Sequence, residues 1–188
     1  MSTRLTVRDF LNEKELAALG EVAAESAQLE STTETLLKIV LKLTDDEYDA
    51  IIGGKMFGAK LDILKEVGLC RLRGKKRKKH KQQFIVLMDH LKSLVGQRNI
   101  AIHGNWGPEG GFTLATLATL MDGTYVPRPA AAIHKKGKKT STLKVARLEH
   151  LAAELNEGGS LLWDFAKVTW LKVGLRISGG AFSDTQPK

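Results

Sequence analysis

Residues 82–104, QQFIVLMDHLKSLVGQRNIAIHG, decide the fold, because their apolar residues recur every three or four positions. On a helical wheel of about 100° per residue, four apolar residues fall within about 60° of Phe84: Leu87, Met88, Leu91 and Val95. Such a stripe is typical of a helix that buries one face, and Gly104 is placed to end it in a left-handed cap. The pattern predicts a central helix over Gln82–His103.

Helical patterns also flank this segment. Asn12 with Glu15 is typical of a helix start, and a long first helix is expected to run to about Leu43. A second start at Thr44-Asp45-Asp46-Glu47 opens a short helix that Gly53-Gly54 ends. Two further helices are predicted, over residues 59–67 and 143–173. The expected fold class is mainly α, a helical bundle.

Between the central and closing helices, β-forming residues predict a small β-meander with strands over 112–121, 125–134 and 140–145. Pro127 and Pro129 indicate that the middle segment is irregular or has an unpaired edge. The chain is therefore expected to form a single domain over residues 1–178. In it, a β-rich insertion over 112–145 precedes the C-terminal helix, and a disordered tail over 179–188 follows.

The charge of the chain favours a partner that carries phosphates. The formal net charge is +8, from 29 Lys and Arg against 21 Asp and Glu, and much of it lies in a basic connector over 71–81 and a turn over 135–139. These runs are candidate RNA contacts, with a solvated loop as the alternative. The candidates are Arg71, Arg73, Lys75, Lys76, Arg77, Lys78, Lys79, Lys81, Lys135, Lys136, Lys138 and Lys139.

Several classes of protein are disfavoured. Cys70 is the only cysteine, so one chain cannot form an internal disulfide, and a reducing cytoplasm is the simplest location. Residues 1–10 have no continuous apolar run of an export signal. The longest apolar runs, such as Phe84–Met88, are far too short to span a membrane. The histidines show no metal-ligand spacing, and no cofactor motif is present.

Arg98 is unusual because the helical wheel places it within the apolar stripe. Burying an unpaired guanidinium costs several kcal/mol, so Arg98 is expected in a buried ion pair, a subunit contact or a ligand site. Glu30 and Glu34 fall on the apolar stripe of the first helix. Glu30 is the preferred partner, and it could orient the guanidinium as well as neutralise it.

His103 lies about 140° from Arg98 on an ideal helix, so the two side chains are not expected to point the same way within one chain unless the helix end deforms. Asn99 and His103, four residues apart, share a face. Histidine suits acid–base work near neutral pH. A lone helical histidine is nevertheless more often a cap or a surface residue.

The order Arg98-Asn99-x-x-x-His103, closing a helix and followed by Gly104, resembles the HEPN superfamily (higher eukaryotes and prokaryotes nucleotide-binding). The resemblance covers roughly Asn12–Gly104 and the closing helix, whereas the β-rich segment has no counterpart in the general family pattern. HEPN toxins that an antitoxin nucleotidyltransferase silences often carry tyrosine two positions after the histidine. This chain has Asn105 there, which gives no support to that mode of inhibition.

The resemblance implies a metal-independent endoribonuclease of the toxin or phage-defence type, acting as a homodimer whose two motif helices share a cleft. A composite dimer site would resolve the 140° separation. The family pattern makes Arg98 the residue that stabilises the phosphorane, His103 the acid–base residue and Asn99 a polar helper. The expected products are a 2′,3′-cyclic phosphate and a 5′-hydroxyl, and an antitoxin or other regulatory protein is an expected partner.

Two alternatives remain open at this point. The chain could be a non-catalytic HEPN-like module that binds RNA or protein, in which Arg98 and Glu30 form only a structural bridge. It could also be a basic DNA-binding regulator, although no helix-turn-helix spacing is present.

Overall fold

The computed structural model describes residues 11–74, 77–103, 105–107, 131–134 and 141–170. In this part the chain is mainly helical, which confirms the predicted fold class. Its α-helices are α1 Glu13–Leu41, α2 Asp45–Tyr48, α3 Phe57–Arg71, α4 Lys78–His103 and α5 Val145–Thr169. A π-helical turn, Asp49–Gly53, continues α2.

The starts of α1 and α2 are fixed by side chains that bond to the backbone. The Asn12 N–H donates to Glu15 Oε2 at 2.9 Å, and the Glu15 N–H donates to Asn12 Oδ1 at 3.0 Å. Thr44 and Glu47 form the same reciprocal pair. Each pair satisfies amides that the first turn of a helix leaves without partners. Both predicted helix starts are confirmed.

The boundary between α3 and α4 differs from the prediction. α3 continues through Arg71 and α4 already begins at Lys78, because lysine and arginine are good helix formers. Leu72, only 1% exposed, belongs to the core. The predicted basic connector over 71–81 is therefore corrected at both ends, since Arg71 and Lys78–Lys81 are helical, and its residue Leu72 is buried.

The chain forms two compact units, each assembled from two stretches distant in sequence. The first, which we call the motif unit, comprises Met1–Gln28 and Ser93–Asn156, and the second, the aromatic unit, comprises Leu29–Lys92 and Glu157–Lys188. Each of the three long helices contributes residues to both units. The single domain over 1–178 stays a prediction.

The core of the motif unit takes apolar side chains from all three long helices. Its buried residues include Ala18, Val22, Leu94, Val95, Ala101, Leu148, Leu151 and Leu155. The segment of α4 that carries the Arg98 motif is thus anchored by buried residues on both sides of Arg98 in sequence.

The core of the aromatic unit is built around three aromatic rings in mutual contact. Phe84 packs against Phe165 with ring centroids 5.2 Å apart, and Trp170 meets Phe84 edge-on at 5.3 Å. Gly68 lies against Phe84 and Trp170. Aromatic pairs at these distances add stabilisation beyond the burial of their area.

Three short strands lie between α4 and α5: β1 Asn105–Gly107, β2 Ala131–His134 and β3 Ser141–Leu143. They pair antiparallel in the order β1-β2-β3, with Trp106 opposite Ile133 and Ala132 opposite Thr142. The predicted strand over 112–121 lies outside the described residues, as does the tail over 179–188. The β-meander over 112–145 is therefore not supported as it was predicted.

None of the described helices is long and apolar enough to cross a membrane.

Candidate functional site

Arg98 lies in the second-last turn of α4, close in sequence to the buried Leu94, Val95 and Ala101. Its side chain is half-buried, and its Nε atom is shielded from solvent without a hydrogen-bond partner. The helical wheel predicted Arg98 within the apolar stripe, whereas the structure leaves the side chain only partly buried. Its Nε is buried, whereas its Nη1 reaches the side chains of Asn99 and His103.

The guanidinium of Arg98 contacts both other motif side chains. Nη1 donates to Asn99 Oδ1 at 2.9 Å and lies 3.2 Å from His103 Nε2. The two side chains therefore meet within one chain, although the wheel predicted that they point in different directions. A helical wheel gives the direction of each Cβ, whereas the long arginine side chain reaches around the helix to the residue five positions later.

The chemistry of the guanidinium limits how it can bond to the histidine. A guanidinium has donors only, so in a hydrogen bond between these two atoms Arg98 Nη1 donates and His103 Nε2 accepts. An imidazole beside a guanidinium supplies the two groups that general-base catalysis at a phosphate needs.

Asn99 and His103 are both exposed, so a polymer could approach them from solvent. His103 is the last residue of α4, where the carbonyl groups of the final turn have no partner within the helix. Gly104, expected to cap this helix, lies outside the described residues. The three motif side chains thus form one exposed cluster at the carboxyl end of α4.

Glu30 has a partner other than the predicted one. Lys60 of α3 donates to Glu30 Oε1 at 2.9 Å and to Glu34 Oε1 at 2.5 Å. The prediction that Glu30 pairs with Arg98 is corrected, because the Glu30 carboxylate belongs to an ion triad in the aromatic unit. Among the described residues, no acidic side chain forms an ion pair with Arg98.

Lys60 is a buried cation that sequence reasoning missed. It is only 5% exposed, and burial alone would lower its pKa, but the hydrogen bonds that it donates to Glu34 and Glu30 raise the pKa above the usual value for lysine. Phe57, three positions before it, and Leu64, four positions after it, are buried on the same helix. The helical wheel that singled out Arg98 would have identified Lys60 as well.

The basic candidates differ in the contacts that they make. Arg71 donates to the Val40 carbonyl at 2.8 Å, and Arg77 donates to the Arg71 carbonyl at 2.7 Å, so both satisfy carbonyls near helix ends. Arg73 lies 3.6 Å from Cys70 Sγ. Exposed lysines occupy the first turn of α4: Lys78, Lys79 and Lys81. Outside the described residues lie Lys75, Lys76, Lys135, Lys136, Lys138 and Lys139.

A second polar cluster, not singled out from the sequence, lies in the motif unit. Arg147 Nη2 donates to Gln97 Oε1, and Gln97 is the residue directly before Arg98. Arg147 Nη1 lies 3.9 Å and His150 Nε2 lies 3.5 Å from Glu154 Oε2. The spacing Arg147-x-x-His150-x-x-x-Glu154 on one helix could have indicated this cluster.

The motif cluster therefore combines a cation, a hydrogen-bond acceptor on an imidazole and an amide on one exposed helix end. The described residues contain no group of three or more His, Cys, Asp or Glu side chains placed to hold a metal ion. No family model, curated protein or solved structure matches this chain.

Proposed function

We propose that this protein is an endoribonuclease that cleaves RNA without a metal ion, with the Arg98–Asn99–His103 cluster as its active site. The observation that carries the proposal is the 3.2 Å contact between Arg98 Nη1 and His103 Nε2 within one chain. RNA supplies its own nucleophile, the 2′-hydroxyl, so its cleavage requires only proton transfer and stabilisation of negative charge.

The reaction follows from the two side chains. His103 Nε2 removes the proton of the 2′-hydroxyl as the 2′-oxygen forms a bond to phosphorus. The bond between phosphorus and the 5′-oxygen then breaks, and the imidazolium returns the proton to this leaving oxygen. Arg98 exchanges its contact with His103 for the phosphate oxygens, where it stabilises the charge of the phosphorane. The products are a 2′,3′-cyclic phosphate and a 5′-hydroxyl.

Asn99 has a positioning role in this scheme. Its Oδ1 accepts from the same Nη1 that faces His103. This holds the guanidinium near the imidazole before RNA binds and reduces the reorganisation needed in the transition state. The amide nitrogen of Asn99 remains available to donate to a ribose or phosphate oxygen.

The biological setting follows the resemblance to the HEPN superfamily. An RNase of the toxin or phage-defence type acts in the cytoplasm, on cellular or invading RNA, and needs restraint by an antitoxin or another regulatory protein. A homodimer remains part of the proposal as a means of enlarging the RNA surface. It is not required to bring Arg98 to His103.

The test is cleavage of an end-labelled RNA in EDTA by the wild type, His103→Ala and Arg98→Ala. Loss of general acid–base catalysis is expected to lower the rate of His103→Ala by about 10²- to 10⁴-fold. His90→Ala is the matched control, because His90 is also exposed on α4, and it should cleave like the wild type. Abolition of cleavage by EDTA, or equal rates for His103→Ala and the wild type, would overturn the proposal.

A non-catalytic RNA-binding module is the second candidate, and the exposed lysines that begin α4 favour it. Lys78, Lys79 and Lys81 have no acidic partner among the described residues, and they can hold phosphates without any chemistry. Salt-sensitive RNA binding by a protein that never cleaves would support this candidate over the first.

A further inference from the structure

Arg147, in the first turn of α5, is tied to the segment that carries the motif. Its guanidinium donates through Nη2 to the side-chain oxygen of Gln97, and Arg98 follows Gln97 directly, with about 3.8 Å between their Cα atoms. Both arginines belong to the motif unit. The start of α5 therefore lies beside the last turns of α4, and a second guanidinium contacts the residue directly before the motif.

The contacts of Arg147 orient its guanidinium without saturating it. Among the described residues, only Nη2 makes a hydrogen bond, and the 3.9 Å separation of Nη1 from Glu154 Oε2 is longer than a hydrogen bond. The Arg147 side chain is 46% exposed. Since a guanidinium carries five N–H donors, several have no acceptor in the part of the chain that the structure describes and can bind an anion from solvent.

Glu154 places a carboxylate near Nη1 of Arg147. Its Oε2 is buried without a hydrogen-bond partner, yet both Arg147 and His150 lie within 4 Å of it. One carboxylate thus faces two basic side chains, both of which are about half exposed. Glu154 holds the arginine in place electrostatically and leaves its hydrogen-bonding capacity for another group.

We propose that Arg147 binds a phosphate of the RNA that neighbours the scissile phosphate, so that the substrate is an oligonucleotide held at two consecutive phosphates or more. Arg98 engages the phosphate that reacts, and Arg147 engages one beside it. Gln97 and Glu154 are the positioning residues of this second contact. The proposal rests on the proposed RNase function and names the kind of RNA that the site takes.

The experiment compares two substrates that differ in the number of phosphates. A dinucleoside monophosphate such as ApA contains only the scissile phosphate, whereas a labelled oligoadenylate of ten nucleotides also offers neighbouring ones. Cleavage of both is measured in EDTA for the wild type, Arg147→Gln and Arg147→Lys. Lys14→Gln, which removes one exposed charge from α1 in the same unit, is the matched control.

For the oligonucleotide, loss of one charge-assisted phosphate contact is expected to lower kcat/KM of Arg147→Gln by about tenfold, mainly through KM. Arg147→Lys should show a smaller loss than Arg147→Gln, and Lys14→Gln should match the wild type. For ApA, Arg147→Gln should cleave at the rate of the wild type, because ApA has no second phosphate. The ApA rate also shows that the variant is folded and that its motif cluster is intact.

Two outcomes would overturn the inference while leaving the RNase function in place. Equal losses on both substrates would assign Arg147 a structural role through Gln97. No loss on either substrate would show that Arg147 does not touch RNA. Failure of the wild type to cleave either substrate would instead reject the proposed function on which the inference rests.

Discussion

At the scale of single residues, Arg98 links the side chains of the motif. Its Nη1 serves two acceptors at once, Asn99 Oδ1 and His103 Nε2. Nε remains buried without a partner, at a cost to stability of about 1–3 kcal/mol. A side chain retained at such a cost is consistent with a role in function.

Tyr48 is another residue with an unmatched polar group. It is 2% exposed, and its hydroxyl has no hydrogen-bond partner. Tyr48→Phe removes this hydroxyl with little change of shape, so we expect the free energy of unfolding to rise by about 1 kcal/mol. Urea denaturation of the two proteins measures the difference. A lower stability of Tyr48→Phe would show that the hydroxyl does have a partner in solution.

The same residue predicts how stability depends on pH. Burial, and next the nearby Glu34, raise the pKa of Tyr48 from 10.0 to about 12. The folded protein therefore holds the phenol proton more tightly than the unfolded chain does. Its contribution to stability is complete below about pH 10 and is lost as the pH rises through about 12. Absorbance of the phenolate should show one late-titrating tyrosine that is missing in Tyr48→Phe.

At the scale of elements, α3 can approach the rings of Phe84 and Trp170 only because residue 68 is glycine. A Cβ at this position would lie 2.5 Å from Phe84 Cε1 and 2.9 Å from Trp170 Cζ2, well inside van der Waals contact. A side chain of any size at position 68 would thus force the aromatic core to shift.

Gly68→Ala is therefore expected to destabilise the fold by about 1–3 kcal/mol, as overpacking of a core does. Gly58→Ala is the control on the same helix, because a Cβ there meets nothing within 4 Å, and the higher helix propensity of alanine should leave stability equal or slightly raised. Thermal unfolding followed by circular dichroism compares the two variants. Equal melting temperatures for both would contradict the packing described here.

The first turn of α4 carries three exposed lysines. Lys78, Lys79 and Lys81 lie in a first turn without acidic residues, where the helix dipole disfavours cations. Replacing all three by glutamine should stabilise the protein by a few tenths of a kcal/mol for each lysine. If these lysines contact RNA, the same variant should bind RNA more weakly and with a smaller salt dependence.

Filter binding at several salt concentrations, together with thermal unfolding, tests both halves of this expectation. The matched control is Arg77→Gln, whose guanidinium bonds to the Arg71 carbonyl; it should lose stability and keep the salt dependence of the wild type. An unchanged salt dependence in the triple variant would remove these lysines from the RNA surface.

The sequence predicted helix starts and the apolar stripes well, because capping pairs such as Asn12 with Glu15 and the spacing of buried residues are local properties. The α3–α4 boundary was less predictable, since Lys78–Lys81 suit a helix as well as a loop. Nor could the sequence show that Arg71 and Arg77 bond to backbone carbonyls, because such partners depend on how distant segments pack.

The site was predictable only in part, for a similar reason. Arg98 was found because its position in the apolar stripe is a local pattern. The partner of Glu30 was assigned wrongly because two cations, Arg98 and Lys60, interrupt apolar stripes, and the sequence does not say which one faces the carboxylate. The contact of Arg98 with His103 depends on the reach and rotamer of a long side chain, which a helical wheel does not represent.

At the scale of the whole molecule, the net charge of +8 favours polyanions in general, the proposed RNA substrate among them, without selecting a sequence. Binding through this charge and chemistry at the motif cluster are separate properties. Variants of the basic surface should change the affinity for RNA and its salt dependence. Variants of Arg98 and His103 should instead change the rate at which bound RNA is cleaved.

The central claim is that Arg98 and His103 of the same chain form one RNA-cleaving site. The most direct test is RNA cleavage in EDTA by Arg98→Ala, by His103→Ala and by an equimolar mixture of the two. We predict that the wild type is active and that the mixture is no more active than either variant alone, because neither chain holds both groups. Recovery of activity on mixing, towards about a quarter of the wild-type value for randomly paired dimers, would show instead that the arginine of one copy acts with the histidine of another and would contradict the claim.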